Sequence, residues 1–139
     1  MAFSETANIV SRPAATTFST SDRYKFVVVN ASTSAGVVGH VLLPNTSGPT
    51  FLPFGVLYGI TSTTDVGQAV PIAIGGIAKV QMAANTLSAG DYVASSTVGL
   101  GIAPSSVAYT AGQIVSGSSG TTGRIHSVNL FTGPLSTEL

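Results

Sequence analysis

Short apolar runs separated by closely spaced glycine, proline and serine set the rhythm of this chain. Its 16 glycines and 7 prolines interrupt the sequence so often that no long window offers the uninterrupted stripe and caps of a helix. Between the breaks lie runs rich in Val, Ile, Leu, Tyr and Phe, which predict short strands joined by tight turns. The strands are expected near 24–30, 37–43, 56–61, 69–74, 77–83, 91–95, 113–116 and 124–131.

Two kinds of strand are distinguishable. From Ile77 to Ala83 the pattern alternates, so Ala78, Val80 and Met82 share one face while Lys79 and Gln81 point the other way. By contrast Phe26-Val27-Val28-Val29 and Val41-Leu42-Leu43 are apolar on both faces, which predicts strands sandwiched between layers or covered by a partner. The expected fold is all-β, a compact β-sandwich or small barrel of short strands. Residues 1–22 read differently, with Pro13, many Ser and Thr, and isolated apolar positions. They predict an extended N-terminal arm ahead of a single β domain over 23–139.

A faint echo links Leu87-Ser88-Ala89-Gly90-Asp91-Tyr92-Val93 with Tyr109-Thr110-Ala111-Gly112-Gln113-Ile114-Val115. Each reads as turn, glycine, strand, so shared turn chemistry accounts for it without duplication.

Charge changes the picture most. Only 7% of the chain is Asp, Glu, Lys or Arg, against about 25% in an ordinary soluble domain. Ser, Thr, Asn and Gly must cover much of the exterior, which suits a protein packed among copies or neighbours. Formal net charge is zero, so the basic footprint of a nucleic-acid binder is missing. With no cysteine, disulfides and thiolate metal sites are excluded. The amino terminus lacks a secretory pattern and no apolar run is long enough to span a bilayer, so no membrane partner is expected. The sequons at Asn30 and Asn45 match chance in a chain so rich in Asn, Ser and Thr.

Candidate chemistry is sparse. The carboxylates are Glu5, Asp22, Asp65, Asp91 and Glu138, and the imidazoles are His40 and His126. None of the common catalytic or nucleotide-binding motifs occurs. His40 and His126 read better as strand histidines satisfied by a backbone carbonyl or water than as ligands or bases. Asp91, after Gly90, reads as a carboxylate bonding its own turn. No catalytic residue, metal ligand or cofactor is expected, and the chain is not expected to be an enzyme. The stretch from Leu43 to Gly55 holds three prolines with Phe51 and Phe54. It is either a stiff aromatic loop that inserts into a partner or a loop whose phenylalanines plug the end of their own core.

From Val56 onward the order of signals resembles a known family. Val56-Leu57-Tyr58-Gly59-Ile60, Ala69-Val70-Pro71-Ile72-Ala73-Ile74-Gly75-Gly76-Ile77-Ala78-Lys79-Val80, Leu87-Ser88-Ala89-Gly90-Asp91-Tyr92-Val93 and Gly123-Arg124-Ile125-His126-Ser127-Val128-Asn129-Leu130 are similar to the capsid decoration, or cement, proteins of tailed bacteriophages. The resemblance implies a small β protein, usually a homotrimer, on the outside of the capsid. Its partners would be copies of itself and the major capsid protein, and it would be made in the host cytoplasm. No catalytic residue comes with the family.

The expected function is therefore to stabilise an expanded head by bridging capsomers. Candidate contact residues are Phe3, Ile9, Val10 and Phe18 in the arm and Phe51 and Phe54 in the proline loop. A chain starting at Tyr24 is expected to keep its fold and lose the shell. The alternative is a head-fibre or tail-fibre module that binds bacterial surface glycans, with Tyr24, Tyr58, Tyr92 or Tyr109 stacking on sugars.

Overall fold

One antiparallel sheet, curled into a half-barrel, organises the chain. The computed structural model describes residues 7–31, 33, 36–44, 53–83, 87–104, 110–117 and 122–131. Its strands are β1 (Ala7–Pro13), β2 (Phe26–Val29), β3 (Val41–Leu42), β4 (Gly55–Leu57), β5 (Ala69–Gln81), β6 (Tyr92–Ser95), β7 (Gly101–Ile102), β8 (Thr110–Ser116) and β9 (Ile125–Leu130). The order is β3-β2-β4-β5-β9-β8-β6-β7, with β1 also on β5. Helical structure among the described residues is limited to a 3-10 turn at Thr20–Asp22 and 3-10 geometry at Thr33, in line with the all-β expectation.

The long strand β5 is the spine. Its first half pairs with β1, from Ala69↔Pro13 to Gly76↔Ala7, and on its opposite edge with β4 at Ile72↔Leu57 and Ala73↔Val56. Its second half pairs with β9 from Gly76↔Leu130 to Gln81↔Ile125. At each end the sheet folds back on itself. Ala14, just past β1, bridges Val41 of β3, and Met82, just past β5, bridges Gly101 of β7.

This curl makes two cores. Consecutive residues Phe26 and Val27, Val56 and Leu57, and Ala73 and Ile72 divide between them. Because successive side chains of a strand point to opposite faces, β2 at Phe26–Val27, β4 at Val56–Leu57 and β5 at Ile72–Ala73 are buried on both sides. One core gathers Ala78, Val80, Met82, Val93, Ile114, Val128 and Leu130 with Phe26 and Val56. The other holds Ala14, Phe18, Val27, Val41, Leu57, Ile60, Val70 and Ile72. The doubly apolar reading of Phe26 and Val27 thus has its cause, while Val29 at the far end of β2 stays 42% exposed.

Several sequence expectations shift. The strands expected at 69–74 and 77–83 are one strand: Gly75 and Gly76 do not break it because β1 and β9 hold it through that point. Ala78, Val80 and Met82 are buried as the alternation required. The strand expected at 37–43 shrinks to Val41–Leu42, because Asn30 pins a turn before it. Its side-chain amide donates to Val37 O at 3.1 Å, its carbonyl accepts from Gly39 N–H at 2.8 Å and its own N–H donates to His40 O at 2.7 Å.

The largest difference concerns the arm. Residues 7–13 form β1, Val10 packs against the second core, and Ala14 and Phe18 lie wholly inside it. Thr64 N–H donates to Phe18 O at 2.9 Å, which ties this segment to the loop before β5.

The echo around Gly90 and Gly112 also separates into two causes. Gly90 has φ +95° in a turn, as the shared-turn reading held. Gly112 lies inside β8, where a Cβ would collide with Asn129 O and come within 2.7 Å of Val128 Cγ1. Here glycine is needed for the close approach of β8 to β9, not for a reversal. Gly112→Ala should force that ladder apart and cost about 1–3 kcal/mol, the usual scale for overpacking, read as a lowered midpoint in thermal unfolding.

Candidate functional site

Among the described residues Asp22 and Asp91 are bound into local turns, whereas the Nδ1 atoms of His40 and His126 are buried with no hydrogen-bond partner. Asp91 accepts the Ser88 N–H at 3.0 Å while its own N–H donates back to Ser88 O at 3.0 Å, so it closes its own turn. His126 is 2% exposed, with Nε2 3.4 Å from Leu87 O, and Gly117 presses against its ring, where a Cβ would come within 2.5 Å of Cγ. His40 belongs to the turn held by Asn30. Asp22 forms an ion pair with Lys25 at 3.1 Å and accepts the Ser19 N–H at 2.9 Å. Among the described residues no three His, Cys, Asp or Glu side chains gather where they could hold a metal.

Apolar side chains are what the surface offers. Phe54 follows buried Pro53 and lines a shallow depression with Phe26, Gly55, Ile74, Ala111, Leu130 and Phe131. Ile74 is 44% exposed and Phe131 38% exposed. Phe131 is held by its N–H donating to Ala111 O at 3.0 Å, and its ring meets the exposed Tyr92 ring edge to face at 6.2 Å.

Ile74 owes its exposure to a bulge. The register of β1 on β5 passes from Ile9↔Ala73 to Asn8↔Gly75 and skips it, so its side chain has no place in the alternation. The Arg12 guanidinium lies 6.0 Å from the Phe54 ring centre and donates to Gly39 O at 2.7 Å.

The six candidate contact residues therefore have different fates. Phe54 sits on the depression, and Ile9, 45% exposed, pairs in register beside Ile74. Val10 is half-buried against the second core. Phe18 has no exposed surface to give a partner, since its ring fills that core. Phe3 and Phe51 lie outside the described residues. Sequence reasoning missed Ile74 and Phe131 as surface residues, and weighed Tyr92 only as a ring that could stack on sugars. The glycine pair after Ile74 was the available sign of a bulge.

Of the tyrosines, Tyr24 and Tyr58 meet edge to face at 5.3 Å, with the Arg23 guanidinium 5.2 Å from the Tyr24 ring centre. Tyr24 has φ +69°, the single positive value at a non-glycine among the described residues. Gln81 holds it there: the side-chain amide donates to Ser21 O at 2.8 Å and Arg23 O at 2.6 Å, and its N–H donates to Tyr24 O at 2.8 Å. Both rings are half-buried against the first core. Tyr109 lies outside the described residues.

No protein-family model matches the chain, and no curated protein matches it. Among solved structures it is similar to the N base of the head fibre gp8.5 of bacteriophage phi29, at 13% sequence identity and a TM-score of 0.55. The match covers 91% of this chain and 95% of that one, so what the two share is a fold over nearly their full lengths.

Proposed function

We propose that this chain is a structural protein of a bacteriophage head whose work is contact, not turnover. The observation that carries this reading is a fold shared end to end with a head-fibre base. The low charge and the exposed Ile74 and Phe131 side chains beside Phe54 support it. In the finer form of the proposal it is a homotrimeric cement protein on the capsid exterior that bridges capsomers of the expanded head. A closed trimer presents each contact patch three times, so weak individual contacts suffice.

The role of that structural neighbour favours a second reading in the same place, the base of a head fibre. The two are separated by one experiment. Purified protein is added to heads that lack it, binding is measured by co-sedimentation, and the coated heads are heated. Binding with raised heat resistance supports cement, whereas binding without it supports a fibre base. Failure to bind, or a purified protein that is never trimeric, overturns the corresponding part. Attachment should rest on apolar burial and backbone hydrogen bonds. Raising salt from about 0.1 to about 1 M, where the screening length falls to about 3 Å, should leave the bound fraction nearly unchanged.

A further inference from the structure

Among the described residues the outer edge of β1 from Ala7 to Ser11 is open, and its geometry fits one partner especially well. Along an extended strand, successive residues aim their N–H and C=O groups to alternate edges. Ala14 N–H donates to Gln68 O at 2.9 Å, on the β5 side, and Ala15 N–H donates to Val41 O at 2.7 Å, on the other. Counting back, Asn8, Val10 and Arg12 face β5, while Ala7, Ile9 and Ser11 face away from it. The register skip between Asn8 and Ile9 does not disturb this count, because the extra residue is Ile74 on β5. Pro13, also outward, has no N–H to lose, which is where an edge strand tolerates proline.

Among the described residues nothing pairs with the outward groups of Ala7, Ile9 and Ser11. The usual guards are missing from this stretch as well. Ala7 to Ser11 carries no charge and no proline, and Arg12 is already committed to Gly39 O. Open edges of this kind pair with another extended strand unless something prevents it.

We propose that β1 pairs antiparallel with β1 of a second copy across a two-fold axis at Ile9. The outward residues are spaced evenly about that position, so the register is self-complementary: Ile9 faces Ile9 of the partner copy, and Ala7 faces the partner copy's Ser11 on each side. Each pair exchanges both of its bonds. The exposed Ile9 side chains, at 45% in the single chain, cover one another. This contact is isologous and a threefold contact is heterologous, so the two use different surfaces and can coexist. Neighbouring trimers would then be joined in pairs across two-folds.

The purified protein alone decides the matter, independently of whether it binds heads. Its mass, followed by sedimentation as concentration is raised, should double. Ile9→Pro removes an outward N–H that β5 does not use and should abolish the doubling with little change in thermal midpoint. If that variant fails to fold, Ile9→Lys serves, since it sets like charges face to face across the axis while leaving a half-exposed site tolerable in the single chain. Amide exchange supplies the second measurement: Asn8 and Val10 should be protected at every concentration, Ile9 and Ser11 only in the doubled species. A mass that never doubles overturns the proposal, as does doubling that survives in a folded Ile9 variant. Protection of Ile9 and Ser11 in the undoubled protein would overturn it too, because the edge would then be covered within one chain.

Discussion

A chain that begins at Tyr24 is expected not to fold. The shortened chain loses β1, which covers one edge of β5 from Ala69 to Gly76. It also loses Ala14, whose bridge to Val41 closes that end of the sheet, and Phe18, which fills the second core against Leu57, Val70 and Ile72. Deleting a buried phenylalanine side chain alone costs about 3–5 kcal/mol, out of a total stability of about 5–15 kcal/mol for a typical domain. The lost ladder adds about 0.5–1.5 kcal/mol for each net hydrogen bond, so the sum meets or exceeds the reserve. Thermal unfolding followed by circular dichroism should show no cooperative transition in the shortened chain. Phe18→Ala in the full chain should unfold cooperatively at a lower temperature. A sharp melt in the shortened chain would mean that residues 7–18 decorate the domain and do not complete it.

That prediction departs from the sequence expectation for the arm, and the reason is physical. The segment Ala7–Pro13 is a strand because β5 offers it a partner far away in sequence, and nothing local in Ala-Asn-Ile-Val-Ser-Arg-Pro announces this. Phe18 sits in a Ser and Thr rich stretch whose local pattern reads as loop, yet its burial is set by residues from β4, β5 and the loop between them. Where local pattern and tertiary position agree, the sequence was legible: Ala78, Val80 and Met82 fall on the buried face, and Asp91 bonds its own turn. Where a residue's role depends on register it was not. Ile74 was the last residue of the strand expected at 69–74, with no side assigned to it, and a bulge turns it outward. Phe54 was legible as an aromatic worth watching, and of its two readings the structure favours neither outright, since it is half-buried on a surface depression.

If that depression is the head contact, Ile74→Asp combined with Phe131→Asp should abolish binding to heads while leaving the fold intact. The two side chains are 44% and 38% exposed, so carboxylates there remain hydrated in the free protein and the thermal midpoint should move little. In a docked contact each carboxylate must instead be stripped of water as an unpaired charge or take up a proton, which costs on the order of several kcal/mol. The arithmetic of linked sites makes the effect steep. A single patch contributing about 4 kcal/mol is a millimolar contact, and only repetition in a rigid trimer turns such contacts into firm attachment. Removing even about 2 kcal/mol from each patch is then multiplied by the number of patches engaged. Co-sedimentation should fall from near saturation to background at micromolar protein. Undiminished binding by the folded double variant would move the contact away from this face, and residues 1–6 and 45–52 would be the segments to test next.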